Sequence, residues 1–484
     1  MNDRTPRLSL ESELQQVESL IAIHHPTIAL RFAQASLFHK LGRFEDAKRA
    51  YLAILASDST HLDAMTHLAA LLRDTDYRTA ALTVYRQIIQ HFPRRPTGHV
   101  GLANVLVDQG DFAAARPHYE AALDVAPDCA EAHQGLSIVL MELREEEGTW
   151  LHGRRGFAGR SYRSNPYLGG DTPVRLLVLN SAAGGNIPLR KSIDDHVFLT
   201  TMLVTEFHDP SVPLPAHQLV FNAIGDADYC RQGLRLAANM LEQSDAPVIN
   251  HPQAVASTGR ADNAQRLAKI AGVVTPKTAV LSRETLARAD APEILGHSGF
   301  TFPLLLRALG FQAGKHFVSV EIADDLAAAL SKLPGREFAV IQFLDARSAD
   351  GKIRKYRVMM IDGKLYPLHV AISKNWKIHY FSADMAEQPQ HRAEDEAFLL
   401  DMPRVLGPAV LAALHRVRLV LGLDYAGVDF SLNAAGEILL FEANATMVIL
   451  PPGADEKWAY RRAPVQQVLE ALTAMLLSRI KATS

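Results

Sequence analysis

Hydrophobic and polar positions alternate in two different ways along this chain. Up to about residue 145, apolar residues recur every three or four positions, as in "DAMTHLAALLR" (63–73) and "HVGLANVLV" (99–107), the spacing of amphipathic helices. From residue 174 onward, short apolar runs end in small or turn-forming residues. "VRLLVLNSAAGG" (174–185), "HQLVFNAIGD" (217–226) and "APVINHP" (246–252) predict strands, with "CRQGLRLAANMLEQ" (230–243) as a helix among them. "GRADNAQRLAKIAGVVTPKTAVL" (259–281) predicts an amphipathic helix and then an extended segment. "FPLLLRALGFQAGKHFVSV" (302–320), "FAVIQFLD" (338–345), "KYRVMMIDGKLYPLHVAISK" (355–374) and "GVDFSLNAAGEILLFEANATM" (427–447) predict antiparallel strands, the third turning at Asp362-Gly363.

The helical third repeats itself. "GRFEDAKRAYLAIL" begins at Gly42, "TDYRTAALTVYRQII" at Thr75 and "GDFAAARPHYEAALDVAP" at Gly110. Phe44, Tyr77 and Phe112 recur 33 and 35 residues apart, Ala47, Ala80 and Ala115 follow each by three, and Tyr51, Tyr85 and Tyr119 come a helical turn later. This pattern resembles the tetratricopeptide repeat, in which small residues let paired helices approach and aromatics fill the space between pairs. Pro127 closes the third unit, and "AEAHQGLSIVLMEL" (130–143) reads as the first helix of a fourth, capping unit. The resemblance implies a solenoid over residues 1–145 that binds a peptide or protein. Residues 146–173 read as a linker without helical period, in which Arg154, Arg155, Arg160 and Arg163 suit either an acidic partner or a solvated connector.

Composition excludes more than it selects. The 484 residues are 48% hydrophobic and 21% charged with a net charge of −3, which leaves no field for nucleic acid or an anionic membrane. Cys129 and Cys230 stand alone, so neither a disulfide framework nor a zinc cluster is expected. With no signal-like N-terminus and no apolar run near the ~20 residues of a membrane span, the chain reads as cytoplasmic.

Candidate chemistry lies in the last hairpin. With "NAAG" (433–436) as its turn, Leu432 faces Glu437, Asp429 lies opposite Leu440, and Glu442 and Asn444 share the face of Asp429. A turn of odd length would reverse that facing. Two carboxylates a few Å apart repel by roughly 4 kcal/mol at an effective dielectric of 20, which a hard cation between them offsets. Mg²⁺ takes such ligands together with phosphate oxygens, so the three donors suggest a magnesium–nucleotide site.

Residues 250–447 resemble the ATP-grasp superfamily of carboxylate–amine ligases, such as the D-alanine–D-alanine ligases, glutathione synthetases and glutamate-adding ligases. The resemblance implies an N-terminal all-α solenoid followed by an α/β pre-ATP-grasp domain (174–250) and an α+β ATP-grasp fold, with subdomains 251–335 and 336–484. It also implies that Asp429, Glu442 and Asn444 hold two Mg²⁺ ions against ATP. Arg260 and Arg307 stand where phosphate-contacting lysines are usual. Gly310, Gly314 and Lys315 match a phosphate lid, and Gln342, Phe343, Leu344 and Asp345 a hinge for adenine and ribose. Arg357 and Lys374 match basic positions facing the transferred phosphate, although both also suit a solvated strand. The chain departs from the family in its two arginines and in "NATMVILPPG", where Pro452-Gly453 is displaced.

The expected activity is amide formation from a carboxylate and an amine or amino acid through an acyl phosphate, with ADP and phosphate released. Positioning and charge neutralisation supply the catalysis, in keeping with the lack of a Ser-His-Asp or Cys-His pattern. The solenoid would deliver a peptide or protein substrate, and a homodimer is compatible with the resemblance. The sequence leaves open a kinase on the same fold and a non-catalytic scaffold with a vestigial nucleotide domain.

Overall fold

The structure, a computed structural model, describes residues 6–23, 27–75, 77–143, 145–159, 161–165, 167–309, 316–378, 380, 383–453 and 455–481. The chain divides into two compact units, Met1–Leu177 with Asp194–His217, and Val178–Ile193 with Gln218–Ser484. The expected 174–250 domain is therefore split, residues 194–217 going with the helical unit.

Helices fill most of the first unit: α1 (Pro6–Ile23), α2 (Ile28–Lys40), α3 (Phe44–Ser57), α4 (Leu62–Asp74), α5 (Arg78–His91), α6 (Pro96–Asp108), α7 (Phe112–Val125), α8 (Ala130–Glu142) and α9 (Glu146–Gly156). The structural period is 34 residues throughout. Tyr51, Tyr85 and Tyr119 are buried at that spacing, as are Ala47, Ala81 and Ala115. The expected Tyr77 and Ala80 are instead exposed, one residue out of phase. A Cβ on Gly101 would meet the Tyr85 ring at 2.0 Å, and one on Gly135 the Tyr119 ring at 2.2 Å. Glycine at these two places lets one helix pair lie against the tyrosine of the pair before it.

The expected linker begins as a helix. From α8, Ser137 Oγ donates to Thr149 O of α9 at 2.8 Å and Gln134 Nε2 to Gly156 O at 2.7 Å, so α8 and α9 form a complete fourth pair. Gly148, Gly153 and Gly156 lower helix propensity and hid this helix from the pattern. At each a Cβ would clash, with Leu140, Phe207 and Gln134 respectively. Unit one ends with β1 (Tyr162–Ser164), the first half of β2 (Val174–Asn180) and β3 (Phe198–Val204), with β1 antiparallel to β3.

The solenoid is rich in histidines held neutral. Burial lowers His39, His67, His99, His118 and His152 from the ordinary value of 6.5. His133 and His152 face each other with Nδ1 atoms 2.8 Å apart, and His99 and His118, one repeat earlier, lie 3.5 Å apart. His133 Nε2 is 2.9 Å from Pro127 O and donates to it, leaving Nδ1 to accept from His152. Because His39, His67, His99, His118 and His152 bind protons less readily folded than unfolded, their contribution is complete above pH 6.5 and is lost as pH falls below it. The melting temperature of the full chain is expected to drop between pH 7 and pH 5, with a shallower drop in His152→Asn; a flat profile over that window would contradict this reading.

The second unit belongs to a mixed α/β region with three sheets. β4 (Leu219–Asn222) and β5 (Val248–Ile249) pair in parallel. Then follow β6 (Val273–Val274), β7 (Thr278–Ser282), β8 (Leu304–Ala308), β9 (Phe317–Val320), β10 (Glu337–Gln342), β11 (Ile353–Ile361), β12 (Lys364–Ser373), β13 (Tyr425–Leu432) and β14 (Ile438–Asn444). One sheet has the order β7-β10-β8-β9 and the next β12-β11-β13-β14-β6. The expected subdomain boundary at 335/336 cuts the first of these, since β10 pairs with both β7 and β8. Such pairings are long-range and leave no local trace.

Alternation along β11 and β13 separates two faces. Tyr356, paired with Phe430, packs its ring 5.1 Å from Phe398 on the helix Pro389–Leu400. Arg357 and Asp429, one residue on, face the other way. Asp362 and Gly363 both take positive φ, +48° and +79°, in the tight β11–β12 turn.

Among the described residues no single helix is long and apolar enough to cross a membrane.

Candidate functional site

The β13–β14 pairing differs from the expected one twice. Leu432 pairs with Ile438, so the turn holds five residues, an odd number that reverses the facing. Between Asp429 and Phe430 the ladder shifts again, since Asp429 pairs with Glu442 and Phe430 with Leu440. Phe441 is the extra, bulged residue, 37% exposed. The two shifts cancel in facing and place Asp429 directly across from Glu442, with Asn444 two residues on along the same face.

Pairing then continues across the sheet. Asp429 lies opposite Arg357, and Arg357 opposite His369. At a strand spacing near 4.8 Å, the row His369–Arg357–Asp429–Glu442 spans roughly 14 Å. All four line a cleft of ≈ 980 Å³ in the second unit.

The row is densely ion-paired. Arg357 donates Nε to Asp429 Oδ1 at 2.6 Å and Nη2 to Oδ2 at 2.8 Å, a bidentate pair. Lys355 Nζ lies 3.1 Å from Oδ2. Burial pushes the Asp429 carboxyl up, but the Arg357 and Lys355 charges and the Arg357 hydrogen bonds outweigh it and hold the group well below the usual carboxylate range. Glu442 accepts from Asn444 Nδ2 at 2.9 Å and stands 3.8 Å from Arg260 and 3.9 Å from Arg307. Asn444 Oδ1 accepts from the backbone N–H and hydroxyl of Thr446. Burial lowers His369 well below the ordinary imidazole value, and the cations of Arg357 and Arg461 add to it, so this ring is neutral.

Arg260 caps one side. It donates to Asp228 at 2.8 Å and lies 3.5 Å from Asp226, whose Oδ1 accepts from the N–H groups of Asp228 and Tyr229. Burial opposes its charge, but Asp226, Glu442 and Asp228 raise its pKa overall. Arg307 also lines the cleft, its guanidinium 5.8 Å from the centre of the Phe317 ring.

Gln342, Phe343 and Leu344 line the cleft as well, at the end of β10. The Gln342 side chain is committed to the adjacent loop, accepting from Thr301 N–H and donating to Thr301 O and Pro303 O. Asp345 is exposed and held by Arg347 at 2.6 Å; hydrogen bonds from Arg347 lower its pKa. Gly310, Gly314 and Lys315 lie outside the described residues. Lys374 is exposed just past the last residue of β12 and is not among the residues lining the cleft. Among the described residues the lysines on the cleft are Lys355 and Lys377.

Several participants carried little or no sequence signal. Lys355 had one, because it shares the face of Arg357 by strand alternation. Asp226, Asp228 and Arg461 reach the unit from segments that no local pattern connects to the hairpin.

Six cationic side chains line the cleft among the described residues (Arg260, Arg307, Lys355, Arg357, Lys377 and Arg461) against two carboxylates, Asp429 and Glu442. Apolar walls come from Leu305, Ile341, Phe343, Phe441 and Trp376, among others. An apolar-walled cleft with excess positive charge suits an anionic ligand that also carries a flat or apolar part.

Comparison with known proteins bears on the helical region. The tetratricopeptide repeat family matches residues 32–98 and 100–148, which are therefore a tetratricopeptide repeat region. Such repeats generally mediate protein–protein interactions. The crystal structure of MamA is 13% identical, covers 32% of this chain and 94% of its own, and has a TM-score of 0.28. A thermophilic tetratricopeptide repeat protein of Thermus thermophilus is 16% identical, covers 31% and 81%, and has a TM-score of 0.28. The Pseudomonas aeruginosa pilF structure is 18% identical, covers 32% and 70%, and has a TM-score of 0.29. A search of curated proteins finds no match.

Proposed function

We propose that the second unit is an ATP-grasp-type nucleotide domain and that the chain is an ATP-dependent carboxylate–amine ligase acting on a peptide or protein held by the repeat region. The observation that carries this is the cross-strand row His369–Arg357–Asp429–Glu442, flanked by Asn444, in a cleft rich in cations.

The donor set fits Mg²⁺. Two carboxylates and an amide on one face are ligand types that Mg²⁺ takes together with phosphate oxygens and water. Of them Glu442 is the most open, whereas both Asp429 oxygens are bonded by Arg357 and Asn444 Oδ1 by Thr446, so a metal has to displace or share those partners. Asp429, Glu442 and Asn444 would hold the metal, which supplies charge neutralisation on the phosphates of the co-substrate ATP. Arg260 and Arg307, converging on Glu442, would face those phosphates. Phe441, turned out by its bulge, and Phe343 would flank the base.

Arg357 is placed to neutralise the carboxylate as its oxygen attacks the γ-phosphorus and ADP leaves. An amine then adds to the acyl carbon, the C–O bond to phosphate breaks, and the amine loses its proton to give the amide. The apolar walls of the cleft would limit the access of water to the acyl phosphate.

The bridging oxygen of that intermediate comes from the substrate carboxylate and departs with phosphate. With ¹⁸O-labelled carboxylate among a panel of amino acids and peptides, a ligase transfers one ¹⁸O to inorganic phosphate. A kinase on the same fold instead leaves a phosphorylated product and no labelled phosphate. Absence of any ADP release across the panel would count against the enzyme reading.

A further inference from the structure

Beyond His369 the cleft continues to a second cation that the chemistry above does not use. Arg461 ends the short helical turn Glu456–Arg461 and lines the cleft. Its guanidinium lies 4.1 Å from the centre of the Tyr380 ring, and that ring is 4.6 Å from His369. Along the wall the order is therefore Glu442, Asp429, Arg357, His369, Tyr380, Arg461.

The Arg461 side chain is 6% exposed yet poorly satisfied. Asp395 is its only ion-pair partner among the described residues, at 3.7 Å, beyond hydrogen-bond range. Asp395 is engaged elsewhere, accepting from Val370 N at 2.7 Å, Tyr380 OH at 2.9 Å and Tyr460 OH at 2.7 Å. Arg461 Nε is buried without a hydrogen-bond partner, and Nη2 reaches Leu368 O only at 3.4 Å. A guanidinium with five donors, buried and so sparsely paired, is costly unless something else accepts from it. Stacking on Tyr380 explains where it sits, and it leaves Nε unanswered and Nη2 weakly bonded.

A purely structural tether is the competing account, but a tether would be expected to bond its acid directly. Here two tyrosine hydroxyls take the acid and the arginine is left toward the cleft. His369, neutral between Arg357 and Arg461, adds a donor without adding charge. Lys377, also on the cleft, donates to Phe317 O at 3.1 Å and supplies a further positive charge at the rim.

We propose that Arg461, with His369, binds a second carboxylate of the acyl substrate, which is therefore a dicarboxylate such as an acidic amino acid or a peptide ending in one. One carboxylate lies by Arg357 for activation and the other is held at Arg461. Which of the two reacts rests on the ligase reading above; the anion site itself does not.

The test titrates the full chain with glutarate and with its half-amide, glutaramate, by calorimetry. Both titrations are run with and without Mg²⁺ and a non-hydrolysable ATP analogue. Charge-assisted pairing at a desolvated site predicts that glutarate binds at least about tenfold tighter than glutaramate. Arg461→Met should bring that ratio to near one. Arg461→Lys keeps the charge beside Asp395 but loses the planar fork, so it should fold if Met does not and should lower the ratio several-fold. Equal binding of the two probes to the natural chain, or an unchanged ratio in Arg461→Lys, overturns the proposal. Binding of the ATP analogue is read in the same experiment: its failure sinks the nucleotide reading alone, while the glutarate preference without nucleotide still decides the anion site.

Discussion

Replacing Glu442 by Gln is expected to lower ATP turnover by about a thousandfold or more, the scale of charge stabilisation that a correctly held metal supplies, with little change in stability. Gln keeps the shape, and its amide oxygen can still accept from Asn444 Nδ2. It removes the one charge on which Arg260 and Arg307 converge, and one of two carboxylates on the face. Glu442 is 27% exposed and its arginine contacts are near 4 Å, so the lost ion pairing should change folding stability by under about 1 kcal/mol. ADP release and Mn²⁺ paramagnetic resonance in the presence of nucleotide would be measured together. A variant with normal metal binding and turnover within tenfold of the natural chain would remove Glu442 from the site.

Arg357→Met should act on stability as well as on activity. Asp429 is 3% exposed, and Arg357 bonds both of its oxygens. Removing one partner of a buried pair leaves an uncompensated charge, and the loss is about 3–5 kcal/mol. Lys355 at 3.1 Å moderates it, which favours the lower end. The pair's contribution is present above the ordinary carboxyl value of 3.8 and is lost as pH falls toward the depressed folded value. At pH 7 the full effect should appear as a lower denaturation midpoint. Arg357→Met with Asp429→Asn should recover most of the stability and none of the turnover. If the single variant is as stable as the natural chain, the pair does not hold the sheet face as described.

The repeat was legible because its causes are local. Tyr51, Tyr85 and Tyr119 recur because each fills the same gap, and Gly101 and Gly135 stand where such a ring presses on a backbone. The misreadings arose where one position breaks the rule. Tyr77 and Ala80 imitate the phase of their neighbours, and three glycines disguise α9. Strand facing in the last hairpin was harder. An odd turn and a bulge at Phe441 each invert it, and neither has a sequence signature, so a shared face of Asp429, Glu442 and Asn444 was inferred through the wrong pairing.

Local sequence determined the solenoid, the strand-rich character of the remainder, and the gathering of oxygen donors on one hairpin, because periodicity and turn chemistry act over a few residues. Tertiary structure decided that Lys355 reaches Asp429 while Lys374, expected to face the phosphate, stays exposed off the cleft, that Asp226 and Asp228 hold Arg260, and that Arg461 closes the row. Those contacts join segments from about thirty to more than ninety residues apart through sheet order and loop packing. Such long-range closure is set by the free energy of the whole fold, which no short window of sequence contains.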